Sequence, residues 1–334
     1  MKIDYHVHLE EGPYSLSWLE RTSSAIASFN LPDGLEKGSK EFVVWQVDAW
    51  KNRLDSGCYA EDWLDLYLKR AKQLGLKEVG IVDHLYRFRE TREYFEKNIL
   101  LDPADDIGKV QSYWLDRVMT DDMKVFVKAI LSAKEKWSSE GIKLKLGIEA
   151  DYFVGCEEEL DELLSDQPWD FVIGSVHFVD GWGFDNPHTV DVFNTMNLKE
   201  LYSRFFETVE KAIRSGLFDF VAHLDNLKVF NFRVEDEDFN RKWYERIADA
   251  LVETGTATEV NAGLYYRYPV KEMCPSPEFV SVLVERGVAF TVSSDSHFPD
   301  DLGKYTEENV TMLKALGVDK LVGFDGRVKK YYTL

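Results

Sequence analysis

Six of the seven histidines in this 334-residue chain fall in five short segments, most of which follow an apolar run short enough to be a buried strand. They are Asp4-Tyr5-His6-Val7-His8, Ile81-Val82-Asp83-His84, Ser175-Val176-His177-Phe178, Ala222-His223-Leu224-Asp225 and Ser294-Asp295-Ser296-His297. A sixth segment, Gly147-Ile148-Glu149-Ala150-Asp151, carries carboxylates in place of imidazole. Single histidines on buried faces are usually core residues with a satisfied hydrogen bond. A set of six at strand ends, joined by Glu149 and Asp295, is what a hydrolytic metal cluster requires. Within a strand, residues two apart project from the same face, so His6 pairs with His8, and Asp295 with His297 near the last strand. His188, in Asn186-Pro187-His188, lacks this setting and is expected at the surface.

The segments between the histidines repeat one order, helix then strand. Leu64, Tyr67, Leu68, Ala71 and Leu74 fall at three- and four-residue spacing, so Glu61 to Leu74 reads as an amphipathic helix. Gly75 stops it, and Val79-Gly80-Ile81-Val82 follows as a buried strand. Leu198–Ser215, Asn240–Thr254 and Pro277–Arg286 read as helices before strand-like runs at Phe218–Ala222, Ala257–Val260 and Val288–Val292. Such βα units imply a parallel sheet. His84, Glu149, His177, His223, Asp295 and His297 all lie at or just past the C-terminal end of a strand, which is the catalytic face of a β/α barrel. No glycine-rich phosphate loop of the open, doubly wound class is present. Residues 10–60 and 86–124 are longer than ordinary connections and are expected to form helical insertions over the active face. The chain, 1–334, reads as one domain.

Composition narrows the partners. The formal net charge is −20, which excludes nucleic acid or an anionic membrane surface as a bulk electrostatic partner. An anionic small molecule stays open if metal ions reverse the local sign. Cys58, Cys156 and Cys274 are odd in number and widely spaced, so they read as packing residues in a reducing compartment. The N-terminus enters a strand-like segment at once, and no stretch reaches about 18 apolar residues, so a cytoplasmic location without a membrane span is expected.

Six imidazoles with two or three carboxylates exceed what one zinc ion can use, since four ligands saturate it. Two or three divalent ions are implied, with Glu149 or Asp295 bridging; the mixed nitrogen and oxygen donors suit zinc, manganese or iron. Clusters of this kind serve phosphoryl hydrolysis by making hydroxide from water and clamping the attacking and leaving oxygens.

The ordered set His6-x-His8, Asp83-His84, Glu149, His177, His223, Asp295-x-His297 resembles the PHP (polymerase and histidinol phosphatase) superfamily across the whole chain. Gly174-Ser-Val-His177-Phe-Val-Asp-Gly-Trp182-Gly-Phe-Asp185 and Ala222-His223-Leu-Asp225 are similar to its histidinol-phosphatase branch. The resemblance implies a distorted (β/α)7 barrel with a trinuclear metal site. It implies that His6, His8, Glu149 and Asp295 hold a first ion, with Glu149 bridging to a second on His177 and His223. His84 and His297 hold a third, with a carboxylate downstream of the paired histidines: Glu11 first, Glu10 and Glu20 as alternatives. Glu149, Asp295 and His177 are the expected catalytic groups.

A phosphate dianion needs a cationic contact, which arginine supplies best. Arg267, beyond the Thr258-Glu259-Val260-Asn261 strand, leads; Arg87, Lys228 and Arg233 follow. Tyr152 and Trp182 are candidates to line the substrate pocket. The implied activity is hydrolysis of L-histidinol phosphate to L-histidinol and phosphate, a step of histidine biosynthesis; the alternative is a nucleotide or another small phosphorylated metabolite. The amine of histidinol phosphate should meet a carboxylate such as Asp185, Asp225 or Glu11. A proofreading nuclease conflicts with the charge, and a metal-dependent amidohydrolase would need a ligating lysine on a central strand.

Overall fold

The computed structural model describes residues 2–9 and 12–334. Eleven strands are present among these: β1 (Ile3–Val7), β2 (Glu78–Ile81), β3 (Lys143–Asp151), β4 (Phe171–Ser175), β5 (Phe178–Val179), β6 (Trp182–Gly183), β7 (Phe220–Val221), β8 (Ala257–Asn261), β9 (Phe290–Ser293), β10 (Lys320–Asp325) and β11 (Val328–Thr333). Seven of them form one parallel sheet in the order β1-β2-β3-β4-β7-β8-β9. Its edges meet beyond the strand ends, where Val7 bridges Ser296 and the His8 amide donates to the Ser296 carbonyl at 2.7 Å. The sheet is therefore a nearly closed barrel of seven strands, as expected.

The N-terminal end of the barrel is plugged from below. The β10–β11 hairpin sets Phe324 against Tyr5, Phe171 and Phe220, with ring centroids 5.5–6.1 Å apart. The Tyr5 hydroxyl, wholly buried, donates to Glu78 at 2.5 Å and accepts from the Phe324 amide at 2.9 Å. Glycines make room for this layer: a Cβ on Gly147 would stand 2.3 Å from the Phe171 ring, and one on Gly80 2.6 Å. With this end filled by aromatic rings, the ligand-bearing end is the one left open.

Helices pack on the outside where the apolar spacing placed them. Glu61–Leu74 is a helix that buries Leu64, Tyr67, Leu68 and Ala71 and ends at Gly75 with φ 67°. Leu198–Arg214, Glu237–Thr254 and Pro277–Glu285 match their expected positions, the last two capped by Asp236 and Ser276. The strand expected over Phe218–Ala222 pairs only at Phe220 and Val221. The two long connections hold helices Leu16–Asn30 and Lys40–Ser56 in one, Arg92–Asn98 and Asp106–Val118 in the other. No helix among the described residues is long and apolar enough to cross a membrane.

Candidate metal centre

Glu149, next to the end of β3, lies at the middle of the open end, and five imidazoles point at its carboxylate. Oε2 lies 3.1 Å from His6 Nε2, 3.3 Å from His8 Nε2 and 2.8 Å from His84 Nδ1. Oε1 lies 3.0 Å from His223 Nε2 and 3.5 Å from His177 Nε2, and accepts from the Ser175 hydroxyl at 2.5 Å. The two oxygens thus face different sets of histidines, the arrangement of a bridging carboxylate. Asp295 sits beside this group, 3.3 Å from His297 and 3.8 Å from His8. His8 is stacked between His84 and His297, with centroids at 4.2 and 4.4 Å.

The donor atoms fall into three groups, each within 4.8 Å: His6–His8–Asp295, His8–His84–His297, and His84–Glu149–His177. All eight expected ligands on described residues are in this one cluster. In these groups His8 falls with the His84–His297 pair as well as with His6 and Asp295, and His84 falls with Glu149 and His177. Glu10 and Glu11 lie outside the described residues. Glu20 is on the exposed side of the Leu16–Asn30 helix.

The donors fit divalent ions. His6 Nε2, both nitrogens of His8, His84 Nδ1, His223 Nδ1 and Glu149 Oε2 are buried and make no hydrogen bond. Native proteins rarely leave so many buried polar atoms unsatisfied in one place, and an ion that accepts their lone pairs accounts for them together. The electrostatics agree. Burial opposes charge on Glu149, but the surrounding imidazoles, His6 foremost, hold its carboxyl well below the usual range. Asp295 is likewise held low against burial, chiefly by Arg267. Burial works against a proton on His6, yet Glu149, Glu259 and Asp295 lift it well above the ordinary imidazole range. Burial, together with His84 and His297, pushes His8 well below it.

A second ring of carboxylates orients the histidines. Both Glu259 oxygens lie 3.2 Å from His6 Nδ1, and the same group accepts from Ser293, Asn261 and the His223 amide. Asp151 lies 2.7 Å from His177 Nδ1 and, outweighing burial, raises that imidazole to about 10. Such contacts set which ring nitrogen is left for a metal. The backbone is strained at two of the ligands: His223 has φ 30° and Asp295 φ 51°, values uncommon for residues with a side chain. Sequence reasoning assigned no role to Glu259 or Asp151. The alternation that places Glu259 and Asn261 on one face of β8 was the available signal.

Above the cluster opens a cavity of about 860 Å³, walled by both insertions through Trp18, Arg21, Trp114 and Arg117. Arg267 lines it, with Nη2 2.5 Å from Asp295 Oδ2. Gly263 is required there, since a Cβ would stand 2.4 Å from that oxygen and 2.6 Å from the Arg267 guanidinium. Arg87 is in the wall but buried, paired with Asp121 at 2.6 Å and Asp83 at 3.7 Å. The other expected substrate contacts are elsewhere. Lys228 is buried between Asp225 and Glu272, both at 2.8 Å, and Arg233 pairs with Glu272 at the surface. Tyr152 donates to Glu157, and Trp182 donates to Thr189 and packs on Phe193 in the core. Asp225, held by Lys228, Cys274 and the Ser276 amide, is not in the cavity. His188 is exposed, as expected, yet stands at the cavity rim.

The PHP domain model matches residues 56–263, more than half of the chain. The chain belongs to the PHP domain family. The matched span of this PHP chain holds His84, Glu149, His177 and His223, whereas His6, His8, Asp295 and His297 lie outside it and join by geometry. The chain is 33% identical over 208 residues to a "probable histidinol-phosphatase" of Deinococcus radiodurans, covering 61% of this chain and 77% of that protein. A "probable histidinol-phosphatase" of Clostridium acetobutylicum is 24% identical over 195 residues, 57% of this chain and 74% of its own length. The fold is similar to the crystal structure of histidinol phosphate phosphatase from Lactococcus lactis, complexed with zinc, L-histidinol and phosphate. The TM-score is 0.58 at 17% identity, over 98% of both chains.

Proposed function

We propose that this PHP protein is a metal-dependent phosphomonoesterase that hydrolyses L-histidinol phosphate to L-histidinol and phosphate. The observation that carries the reading is the convergence of five imidazoles, four of them buried, on Glu149 at the base of an open cavity, with a guanidinium beside it. The curated relatives named as histidinol-phosphatases supply the substrate. His6, His8 and Asp295, His84, Glu149 and His177, and His8, His84 and His297 would hold two or three ions of zinc, manganese or iron, with His223 completing the shell around Glu149. Bound divalent ions supply Lewis acidity at the phosphoryl oxygens and acidify water into the attacking nucleophile.

The chain's own groups do the remaining work. Glu149, Asp295 and His177 offer the negative charge and lone pairs that would hold the ions, and Glu259 and Asp151 keep His6 and His177 in the required orientation. Arg267 presents a guanidinium next to Asp295, where it meets a phosphoryl oxygen and the charge that gathers on it in the transition state. The insertions over the cavity give the substrate its walls.

The deciding experiment is phosphate release over a panel of phosphorylated metabolites, with manganese, zinc and iron added separately to chelator-treated protein. L-Histidinol phosphate is expected to give kcat/KM at least about a hundredfold above p-nitrophenyl phosphate, because a site built for polar groups rejects analogues lacking them. Preference for a nucleotide would replace the substrate, and no phosphate release with any metal would end the phosphatase reading.

A further inference from the structure

Five carboxylates line the cavity: Asp83, Glu149, Asp185, Asp295 and Asp301. Four of them have companions in place. Asp83 accepts from Tyr59 and from the His84 amide and faces Arg87. Glu149 and Asp295 belong to the histidine cluster. Asp301 pairs with Arg21 at 2.8 Å and with Lys304 at 3.2 Å. Asp185, just past β6, has no ion pair and no hydrogen bond to another side chain among the described residues. It is half-buried and close enough to His177 and His84 to feel both imidazoles. A carboxylate in this position has shed part of its hydration without gaining an ion pair or a side-chain hydrogen bond, which costs free energy that a bound cation would offset. The same cavity has an aromatic wall, with Tyr86 stacked on His84 at 4.5 Å and Trp114 edge-on to Tyr86 at 4.8 Å. A site facing phosphate through metals and Arg267 does not need another anion. A substrate that carries a positive charge beside its phosphate gives such a carboxylate a use.

We propose that Asp185 is a specificity-determining residue that receives the cationic amine of the substrate, so that the site selects amine-bearing phosphomonoesters. The proposal rests on the phosphomonoesterase reading and adds which part of the substrate is recognised and by which residue. Asp185, Asp225 and Glu11 were the candidates from sequence; Glu11 lies outside the described residues, and Asp225, already neutralised by the buried Lys228, stands outside the cavity.

The test compares L-histidinol phosphate with its deamino counterpart, 3-(imidazol-4-yl)propyl phosphate, on wild-type protein and on Asp185→Asn, both loaded with the best metal. Both esters release a primary alcohol, so loss of a proton donor would slow them together, whereas loss of an amine receptor affects one. The wild type is expected to prefer the amine-bearing ester by about 10- to 100-fold in kcat/KM, as suits a hydrogen bond between charged groups. In Asp185→Asn this preference should collapse to within a few-fold, with the deamino ester and the metal content unchanged. A preference that survives the substitution overturns the proposal, as does an equal fall on both esters. Equal wild-type rates on the two esters overturn it while leaving the phosphatase reading intact. Hydrolysis of neither ester removes both.

Discussion

At the scale of single residues, Glu149 is the group on which the centre turns, because each of its oxygens faces a separate set of imidazoles. Replacing it with glutamine keeps the volume but removes the charge that two ions would share. Glu149→Gln is expected to lose activity by at least three orders of magnitude and to bind fewer ions by elemental analysis; near-normal turnover would refute the bridging role. Arg267 differs, since it touches Asp295 rather than replacing a ligand. Arg267→Ala should cost about 2–4 kcal/mol of transition-state stabilisation, lowering kcat as well as raising KM. Arg267→Lys should recover little of it, because an ammonium lacks the planar fork. Full kcat/KM in either variant would make Arg267 a mere neighbour of Asp295. The residues that escaped sequence reasoning were those whose meaning lies in distant partners. Glu259 is 253 positions from His6, and nothing local distinguishes it from any polar residue in a strand. Lys228 and Arg233 misled for the converse reason. They lie close to His223 in sequence, but the turn at Asn226–Lys228 carries Lys228 into a buried pair with Asp225, away from the cavity.

At the scale of elements, the strands do two jobs at opposite ends. Toward their N-termini they need glycine, because the Phe171 ring fills the barrel against Tyr5, Phe220 and Phe324. A methyl group on Gly147 would meet that ring at 2.3 Å, and the ring has aromatic neighbours on several sides and little room to retreat. Gly147→Ala is expected to destabilise the fold by about 1–3 kcal/mol in urea titration, with metal content preserved in the folded fraction. An unchanged midpoint would show that the plug is looser than described. Helix positions were legible because apolar spacing and caps are local signals: Glu61–Leu74 ends at Gly75, where the left-handed stop was expected. The strand near Phe220 was not legible in its length, because the apolar run Phe218–Ala222 continues past the two residues that actually pair. Apolar character reports burial, whereas pairing in a distorted barrel depends on where neighbouring strands diverge. The ligands were legible in composition and order, but the stacking of His8 between two histidines from remote segments was not.

At the scale of the whole molecule, an acidic protein concentrates buried imidazoles and carboxylates at one end of its barrel, and protons hold that charge when metal does not. His177 is lifted to about 10 and His6 well above the ordinary range, so without metal both hold a proton more firmly than an ordinary imidazole. A metal must displace those protons. Apparent affinity is therefore expected to fall as pH drops, and binding at pH 7 should release protons, seen as a calorimetric heat that varies with buffer ionisation enthalpy. Heat independent of buffer would mean the histidines were already neutral. Saturating metal should also raise the thermal midpoint, since an ion at a thousand times its Kd adds about 4 kcal/mol to the folded state.

The contact between Val7 and Ser296 has a consequence for the order in which the protein is made. Asp295 and His297 leave the ribosome nearly three hundred positions after His6 and His8. Until then the nascent chain lacks two of the eight ligands that meet at the open end. Loading can finish only after release of β9 and the segment that follows it, so a ribosome stalled before Asp295 yields a chain without a complete site, however much of the barrel has formed.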